Sequence, residues 1–386
     1  MTDTLDILER LVAFPTVSAD SNLALIDYVG EFLAARGFDL FRFADETGLK
    51  AGLFASLGPR DAPGIMLSGH TDVVPVEGQP WTREPFALTR AGERVFGRGT
   101  TDMKGFLACM LSAAGRAAAR DLAQPLKLAF SWDEEIGCIG IPQMLPHLDA
   151  AVGRPALCIV GEPTSMQIAL SHKGKVALRA VCTGTNGHSA MAPNYLNAIH
   201  IAADFIGRMR ELQTRLGQTG VREEGYDIPY TTVHVGKVSG GKALNIVPEK
   251  AVVDFEFRYP ASEDAAAIRA EIDAAARETV EPLLARFPEA GIEIGTLFAY
   301  PGLGISPDDD AMTLMRKIAP RAGLTRVGYG TEGGYFSGMG IPTVVCGPGS
   351  MEQGHKPDEF IALSELAACD AMCDRVLDRL CGAAPR

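Results

Sequence analysis

The sequence lacks several features that would assign it to a common class of protein. It contains no basic run of five or more residues, and 36 Lys and Arg against 48 Asp and Glu give a formal net charge of −12. Nucleic acids and anionic membranes attract positive charge, so neither is an expected partner. No uninterrupted apolar run reaches the roughly 18 residues of a membrane-spanning helix.

Cysteine pairs of the CxxC type are also missing, and the opening residues do not predict a secretory leader. The eight cysteines are scattered and mostly lie in apolar segments, which predicts buried free thiols rather than disulfides or metal ligands. The acidic opening Met1-Thr2-Asp3-Thr4-Leu5-Asp6 does not resemble a signal peptide. We therefore expect a cytoplasmic protein.

The order of apolar patterns predicts a large α/β domain. With 386 residues, of which 47% are hydrophobic, the chain favours two domains or one domain with a large insertion. Strands alternate with helices in the first part of the chain, and the strands are short, buried runs. This order predicts a three-layer α/β catalytic domain with a mostly parallel sheet, formed by residues 1–174 and 299–386.

The pattern changes between residues 175 and 298. Strands are predicted at 176–183, 231–238, 250–259 and 291–298, and helices at 195–216 and 261–284. The order βαββαβ is that of a ferredoxin-like α+β unit. We therefore expect residues 175–298 to form an inserted domain.

His70 with Asp72, then Asp102, and then Glu134 with Glu135 stand at nearly even intervals, each near an apolar run. Glu162 directly follows another apolar run, and His355 lies in a late stretch of the chain. In an open α/β sheet such residues meet at the carboxyl edge of the strands. Imidazoles and carboxylates without thiols suit one or two divalent metal ions that activate water.

Each of these residues also has a structural interpretation when it is taken alone. Asp102 can be a turn or helix-cap residue, Glu134 and Glu135 a solvated acidic loop, and His355 a surface-loop histidine. Glu162 is more informative because it directly follows a buried run, where an unpaired charge is costly. Asp72 can accept the second ring N–H of His70 and fix its orientation.

Taken together, the stretches SGHTDVVP, GRGTTDMKG, DEE, GEPT and the late histidine resemble the M20 family of metallopeptidases, the aminoacylase-1 and carboxypeptidase G2 group. The resemblance implies two divalent metal ions, zinc or cobalt, with Asp102 as the bridging ligand. It implies that His70 and Glu162 complete one site and that Glu135 and His355 complete the other. It also implies that Glu134 is the general base, that His188 in the GHSA stretch stabilises the oxyanion, and that the protein is a homodimer.

Three stretches resemble the acetylornithine deacetylases within that family: GTEGG with Glu332, GPGS with HKPDE, and SHKG after GEPT. The expected substrate is a small N-acyl amino acid, N2-acetyl-L-ornithine, hydrolysed to ornithine and acetate in arginine biosynthesis. Glu332 would face the δ-amino group, and Arg258 with Asn245 would bind the α-carboxylate. Glu332 can instead be a helix-cap acid and Arg258 a salt-bridge partner.

Several alternatives stay open at this point. The stretch Ile136-Gly137-Cys138-Ile139-Gly140 departs from the typical deacetylase, so the activity can instead be that of a succinyl-diaminopimelate desuccinylase, another N-acyl amino acid amidohydrolase or a dipeptidase. A catalytically silent protein that binds amino acid derivatives is the alternative from another class. The complete set of ligands and base counts against it.

Overall fold

The computed structural model describes residues 2–382, and the chain forms two compact units. The first comprises Met1–His172 with Leu303–Arg386, and the second comprises Lys173–Gly302. The second unit is slightly larger than the predicted insertion 175–298, because the strands that border it begin at Gly174 and end at Tyr300. The limits 1–174 with 299–386 and 175–298 for a catalytic and an inserted domain stay a prediction.

The helices are, in chain order, α1 Thr2–Val12, α2 Leu23–Ala34, α3 Lys104–Ala117, α4 Ile141–Met144, α5 Leu148–Ala151, α6 Ala198–Thr219, α7 Ala265–Val280, α8 Asp310–Ile318, α9 Gly333–Gly338 and α10 Leu363–Leu380. Short 3-10 turns lie at Leu145–His147, Ser189–Asn194 and Glu281–Leu283. Among the residues that the structure describes, each helix is too short or too polar to span a bilayer.

The strands are β1 Asp39–Ala44, β2 Ala51–Leu57, β3 Ile65–His70, β4 Thr89–Ala91, β5 Arg94–Phe96, β6 Leu126–Ser131, β7 Leu157–Pro163, β8 Ile168–His172, β9 Gly174–Thr183, β10 Gly187–His188, β11 Thr232–Gly240, β12 Ile246–Val247, β13 Lys250–Tyr259, β14 Gly291–Tyr300, β15 Leu303–Gly304, β16 Leu324–Val327, β17 Thr343–Gly347 and β18 Phe360–Ala362.

The first unit is built on a nine-stranded sheet with the order β1-β2-β6-β3-β7-β17-β8-β15, in which β16 also pairs with β8. Its centre, β6-β3-β7-β17, is parallel, whereas β1 and β2 on one side and β8 and β15 on the other pair antiparallel with their neighbours. The central strands are buried along their whole length, as expected of parallel strands covered on both faces.

Alternate residues of the central strands face two different layers. Leu67 of β3 belongs to a core that the sheet shares with α1, α2, α3, α8 and α10, whereas its buried neighbour Met66 does not. On the other side α5 contacts β2, and α9 contacts β7 and β17. Because strand side chains alternate between faces, this is the predicted three-layer α/β arrangement.

The second unit is a four-stranded antiparallel sheet with the order β11-β13-β9-β14. Its helices α6 and α7 share one core with the sheet. Strand β13 alternates buried and partly exposed residues, which is the pattern of a sheet with one covered face. The order of strands and helices is the predicted ferredoxin-like βαββαβ.

Candidate metal centre

Four neighbouring parallel strands bring the predicted polar residues to one edge of the sheet in the first unit. His70 is the last residue of β3, and Glu162 lies near the end of β7. The acidic trio 133–135 follows β6, and His355 follows β17. Because the carboxyl ends of parallel strands share an edge, residues distant in sequence converge there.

Asp102 lies between two histidines. It stands in the turn before α3, and its peptide bond to Met103 is cis. Its Oδ1 is 3.2 Å from His70 Nε2, and its Oδ2 is 3.1 Å from His355 Nε2. A single buried carboxylate therefore faces both imidazoles, one with each oxygen.

The other two acidic residues complete two groups of possible ligands. Glu162 Oε1 lies 3.5 Å from His70 Nε2, and Glu135 Oε2 lies 2.9 Å from His355 Nε2. Within each group, with Asp102 shared, the ligand atoms lie within 4.8 Å of one another. The structure thus brings together all five residues predicted as ligands. The first group is buried, whereas the side chain of His355 is 45% exposed.

Asp72 holds His70 and the acidic turn at the same time. His70 Nδ1 is 3.0 Å from the backbone oxygen of Asp72 and 3.4 Å from its Oδ1. The carbonyl is therefore the nearer partner of the ring, whereas the sequence predicted the carboxylate. That carboxylate accepts hydrogen bonds from the amides of Glu134 and Glu135 and from the Ser18 hydroxyl. A partner at Nδ1 leaves Nε2 available for a metal ion.

The acidic trio forms a turn in which its members have different partners. Asp133 has a positive φ of 53° and pairs with the buried Lys50 at 2.6 Å, a partner that the sequence did not reveal. Glu135 joins the second ligand group, whereas Glu134 belongs to neither group. The thiol of Cys138 donates to Glu134 Oε1 at 3.3 Å. The two adjacent glutamates therefore have different contact partners.

The pKa values of four of the five residues in the two ligand groups are raised. Burial, with a contribution from Asp102, raises the pKa of Glu162 well above its usual value and the pKa of Glu135 to about 7. Burial opposes protonation of His70, but Glu162 and Asp102 raise the pKa of that imidazole. Hydrogen bonds to Asp102 and Glu135 raise the pKa of His355 to about 10. Positive charge is therefore strongly favoured at this place.

The donor chemistry of both groups fits a divalent metal ion. Each group offers one imidazole nitrogen and two carboxylates, the set that suits zinc and similar ions. Glu135 Oε1 is buried and has no hydrogen-bond partner within residues 2–382. Buried carboxylates are costly unless they are paired or ligate a cation, so the arrangement can hold two ions with Asp102 shared.

Glu332 is completely buried at the start of α9. Among the described residues Ser131 is the hydrogen-bonding neighbour of its carboxylate, and it lowers the pKa of the group somewhat. Burial outweighs this effect and raises the pKa of Glu332 to about 7. The helix-cap interpretation finds no support, since Glu332 makes no side-chain cap hydrogen bond.

The remaining predicted site residues lie in the second unit. His188 and Asn245 are exposed neighbours: the β10–β12 ladder pairs His188 with Ile246, and Ser189 N donates to the Asn245 carbonyl. Arg258 Nε donates to Glu256 at 2.8 Å, and Lys175 holds the other oxygen of Glu256 at 2.7 Å. Arg258 therefore has the salt-bridge partner that the sequence left open.

The sequence and the fold of this chain are similar to those of known proteins. The model of Peptidase family M20/M25/M40 matches residues 66–379. The acetylornithine deacetylase of Proteus mirabilis is 31% identical over 386 residues, which cover 98% of this chain and 96% of that protein. A metallo-carboxypeptidase of the M20 family from Sulfolobus solfataricus has a similar fold, with a TM-score of 0.77, 19% identity and 99% of both chains covered. A dinuclear metal binding peptidase of the M20 family from Bacillus subtilis matches with a TM-score of 0.67 and 15% identity over 98% of both chains.

Proposed function

The chain belongs to peptidase family M20/M25/M40 and is a metal-dependent amidohydrolase, and we propose that it hydrolyses N2-acetyl-L-ornithine to ornithine and acetate. The observation that carries the proposal is the pair of ligand groups that share Asp102. The choice of substrate is supported by the similarity to acetylornithine deacetylases over nearly the whole chain.

We further propose that His70, Asp102 and Glu162 hold one divalent ion and that Asp102, Glu135 and His355 hold a second. Zinc is the proposed metal, and cobalt is a substitute that the same ligands accept. Such ions lower the pKa of water and polarise a carbonyl group. The role of Asp72 is to orient the His70 ring and to fix the backbone of both adjacent glutamates.

Glu134 is the proposed general base. It shares the turn of the ligand Glu135 but belongs to neither ligand group, and desolvation raises its pKa. In this role its carboxylate accepts a proton from the attacking water and delivers it to the amide nitrogen, which leaves as an amine. An amide nitrogen is a poor leaving group, so this delivery is required.

Further residues are proposed to contact the substrate. His188 is the proposed donor to the oxyanion, and Asn245 with Arg258 is proposed to bind the α-carboxylate. Glu332 is the proposed partner of the δ-ammonium group. The proposal for Glu332 is supported by the complete burial of its carboxylate, because the charged form of a buried carboxylate is costly unless a cation or hydrogen-bond donors lie beside it.

Substitution of Arg258 by Met is expected to raise KM about 10–100-fold with little change in kcat, because one charged hydrogen-bonded contact to the substrate is lost. Glu256 keeps Lys175 as a partner, so the variant is expected to fold. The matched control is Arg179→Met, which removes another Arg–carboxylate pair on the same sheet and should leave KM unchanged. Steady-state kinetics with equal KM values for both variants would contradict the assignment of Arg258.

The affinity for metal is expected to increase with pH. In the metal-free protein the pKa of His355 is about 10 and that of Glu135 is about 7, so binding at neutral pH displaces protons. At least one proton is displaced between about pH 7 and 10 and at least two below pH 7, and the raised pKa values of Glu162 and His70 add to this release. Zinc titrations in unbuffered solution with a pH electrode measure this release. An affinity that is independent of pH between 6 and 9 would contradict it.

A substrate panel tests the proposed activity. The purified protein with zinc or cobalt is assayed for product release from acetylornithine, other acetylated amino acids, succinyl-diaminopimelate and dipeptides. The proposal predicts the highest kcat/KM for acetylornithine. Highest activity with a succinyl or dipeptide substrate would replace this substrate and leave the amide hydrolysis intact. We also propose a cytoplasmic homodimer that acts in arginine biosynthesis.

A further inference from the structure

We propose that Glu359, paired with Arg98, is a positioning residue that sets the affinity for both metal ions by holding the loops of Asp102 and His355. The inference rests on the proposed metal site. Glu359 is not a member of either ligand group, and it was noted above only as the last residue of the stretch His355-Lys356-Pro357-Asp358-Glu359.

The carboxylate of Glu359 binds the backbone of the loop that carries Asp102. Its Oε2 accepts from Gly99 N at 3.0 Å, and its Oε1 accepts from Thr101 N at 2.8 Å and from Asp102 N at 3.1 Å. Glu359 is 1% exposed, so water does not replace these bonds. The amide of the shared ligand is therefore fixed by a residue only four positions after His355.

Arg98 compensates the charge of Glu359 and extends the contact to a third segment. Its Nη1 donates to Glu359 Oε2 at 2.8 Å, and its Nη2 donates to Gln79 Oε1 at 2.5 Å. Its guanidinium also lies over the ring of Trp81, 4.9 Å from the centroid. Gln79 in turn donates from Nε2 to the backbone oxygen of His355 at 3.1 Å.

These contacts join both loops without using any proposed ligand atom. The Asp102 loop is held from its amides, and the His355 loop is held through the backbone at His355 and through Glu359 itself. Loops that are ordered before the metal arrives lose less conformational entropy when it binds. Groups that orient ligands in this way typically change metal affinity about 10–100-fold when they are removed.

Substitution Glu359→Gln tests the inference. The amide keeps the shape, but its NH2 group faces either Arg98 or the backbone donors and cannot satisfy both. We expect about 10–100-fold weaker zinc binding to the folded metal-free protein, measured by competition with a chromophoric chelator. Circular dichroism confirms that the variant is folded. Unchanged affinity for both ions in the folded variant would overturn the inference.

Asp370→Asn is the matched control. Asp370 is also a buried carboxylate of the first unit, it accepts from Thr4 Oγ1 at 2.8 Å, and it pairs with Arg116 in α3, the helix that follows Asp102. This substitution is expected to lower stability without a change in zinc affinity. An equal loss of affinity in both variants would show a general effect of destabilisation and would overturn the inference.

Gln79→Ala decides the question if Glu359→Gln does not fold. Gln79 is only partly buried, and its removal breaks the contacts to Arg98 and His355. We expect about 2- to 10-fold weaker binding of the ion in the His355 group, and unchanged affinity for both ions would overturn the inference. If the wild-type protein does not bind two metal ions, the proposed metal site is itself wrong. Failure of the metal site is therefore seen in the wild-type protein, whereas failure of the present inference is seen only in the variants.

Discussion

Substitution Glu134→Gln is expected to lower kcat by about 10²–10⁴-fold, the usual contribution of general acid–base catalysis. Glutamine has the size of glutamate but accepts no proton from water. Glu134 is outside both ligand groups, and its backbone amide still donates to Asp72. We therefore expect the variant to retain two metal ions and an almost unchanged KM.

The matched control for this variant is Glu135→Gln, one residue further along the same turn. Because Glu135 Oε2 lies 2.9 Å from His355 Nε2, this substitution is expected to weaken the ion of the second group. Metal analysis and steady-state kinetics distinguish the two variants. Full activity of Glu134→Gln would remove the proposed base, and loss of metal from that variant would make Glu134 a ligand.

Substitution Asp102→Ala is expected to remove both ions and to lower kcat/KM by about 10³-fold or more. Asp102 faces His70 and His355 with separate oxygens, so neither ligand group is complete without it. A bound metal ion supplies several kcal/mol of charge stabilisation in the transition state, and each 1.36 kcal/mol corresponds to about a factor of ten. Metal content by mass spectrometry and the rate of acetate release measure the two effects.

His355→Ala is the control that distinguishes loss of a residue in one ligand group from loss of the shared residue Asp102. His355 belongs only to the second group, so this variant is expected to keep one ion, whereas Asp102→Ala keeps none. Circular dichroism must show that both variants are folded. Retention of two ions by folded Asp102→Ala would exclude it as the shared ligand.

The sequence singles out three of the proposed ligands, His70, Glu135 and Glu162, because each lies at or just after a strongly apolar run. Strands β3, β6 and β7 are buried runs of six or seven residues, and a charged residue directly after such a run indicates a site. Parallel pairing then brings them to one edge. The ligand roles of Asp102 and His355 come from the resemblance to a family, since each has an ordinary turn or loop setting when it is taken alone.

Partners that are far apart in the sequence could not be predicted. Lys50 pairs with Asp133 across 83 positions, and Arg98 pairs with Glu359 across 261. These pairs depend on how loops fold over the sheet edge, and the periodic pattern of apolar residues does not predict loop conformation. The same applies to Cys138, whose contact with Glu134 is local but depends on a turn in which Cys138 has a positive φ of 55°.

Strands at the sheet edges have weak sequence signals for a different reason. Strand β1 is mostly exposed, β15 has two residues and β16 has four, so their apolar patterns are weak. In the second unit the first helix begins at Ala198 rather than near Tyr195, because Asn197 caps it by accepting from Ile199 N. Helix ends depend on such single contacts, whereas the order of elements depends on long apolar patterns.

The proposed two-metal site and its activity are tested together by a zinc titration of the metal-free protein during hydrolysis of N2-acetyl-L-ornithine. We expect acetate release to be absent without metal, to increase as zinc is added and to saturate at two ions per chain. The same titration of Glu134→Gln should show binding of two ions without comparable turnover. If the wild-type protein binds two zinc ions and releases no acetate from acetylornithine or any other acetylated amino acid, the proposed deacetylase activity is wrong.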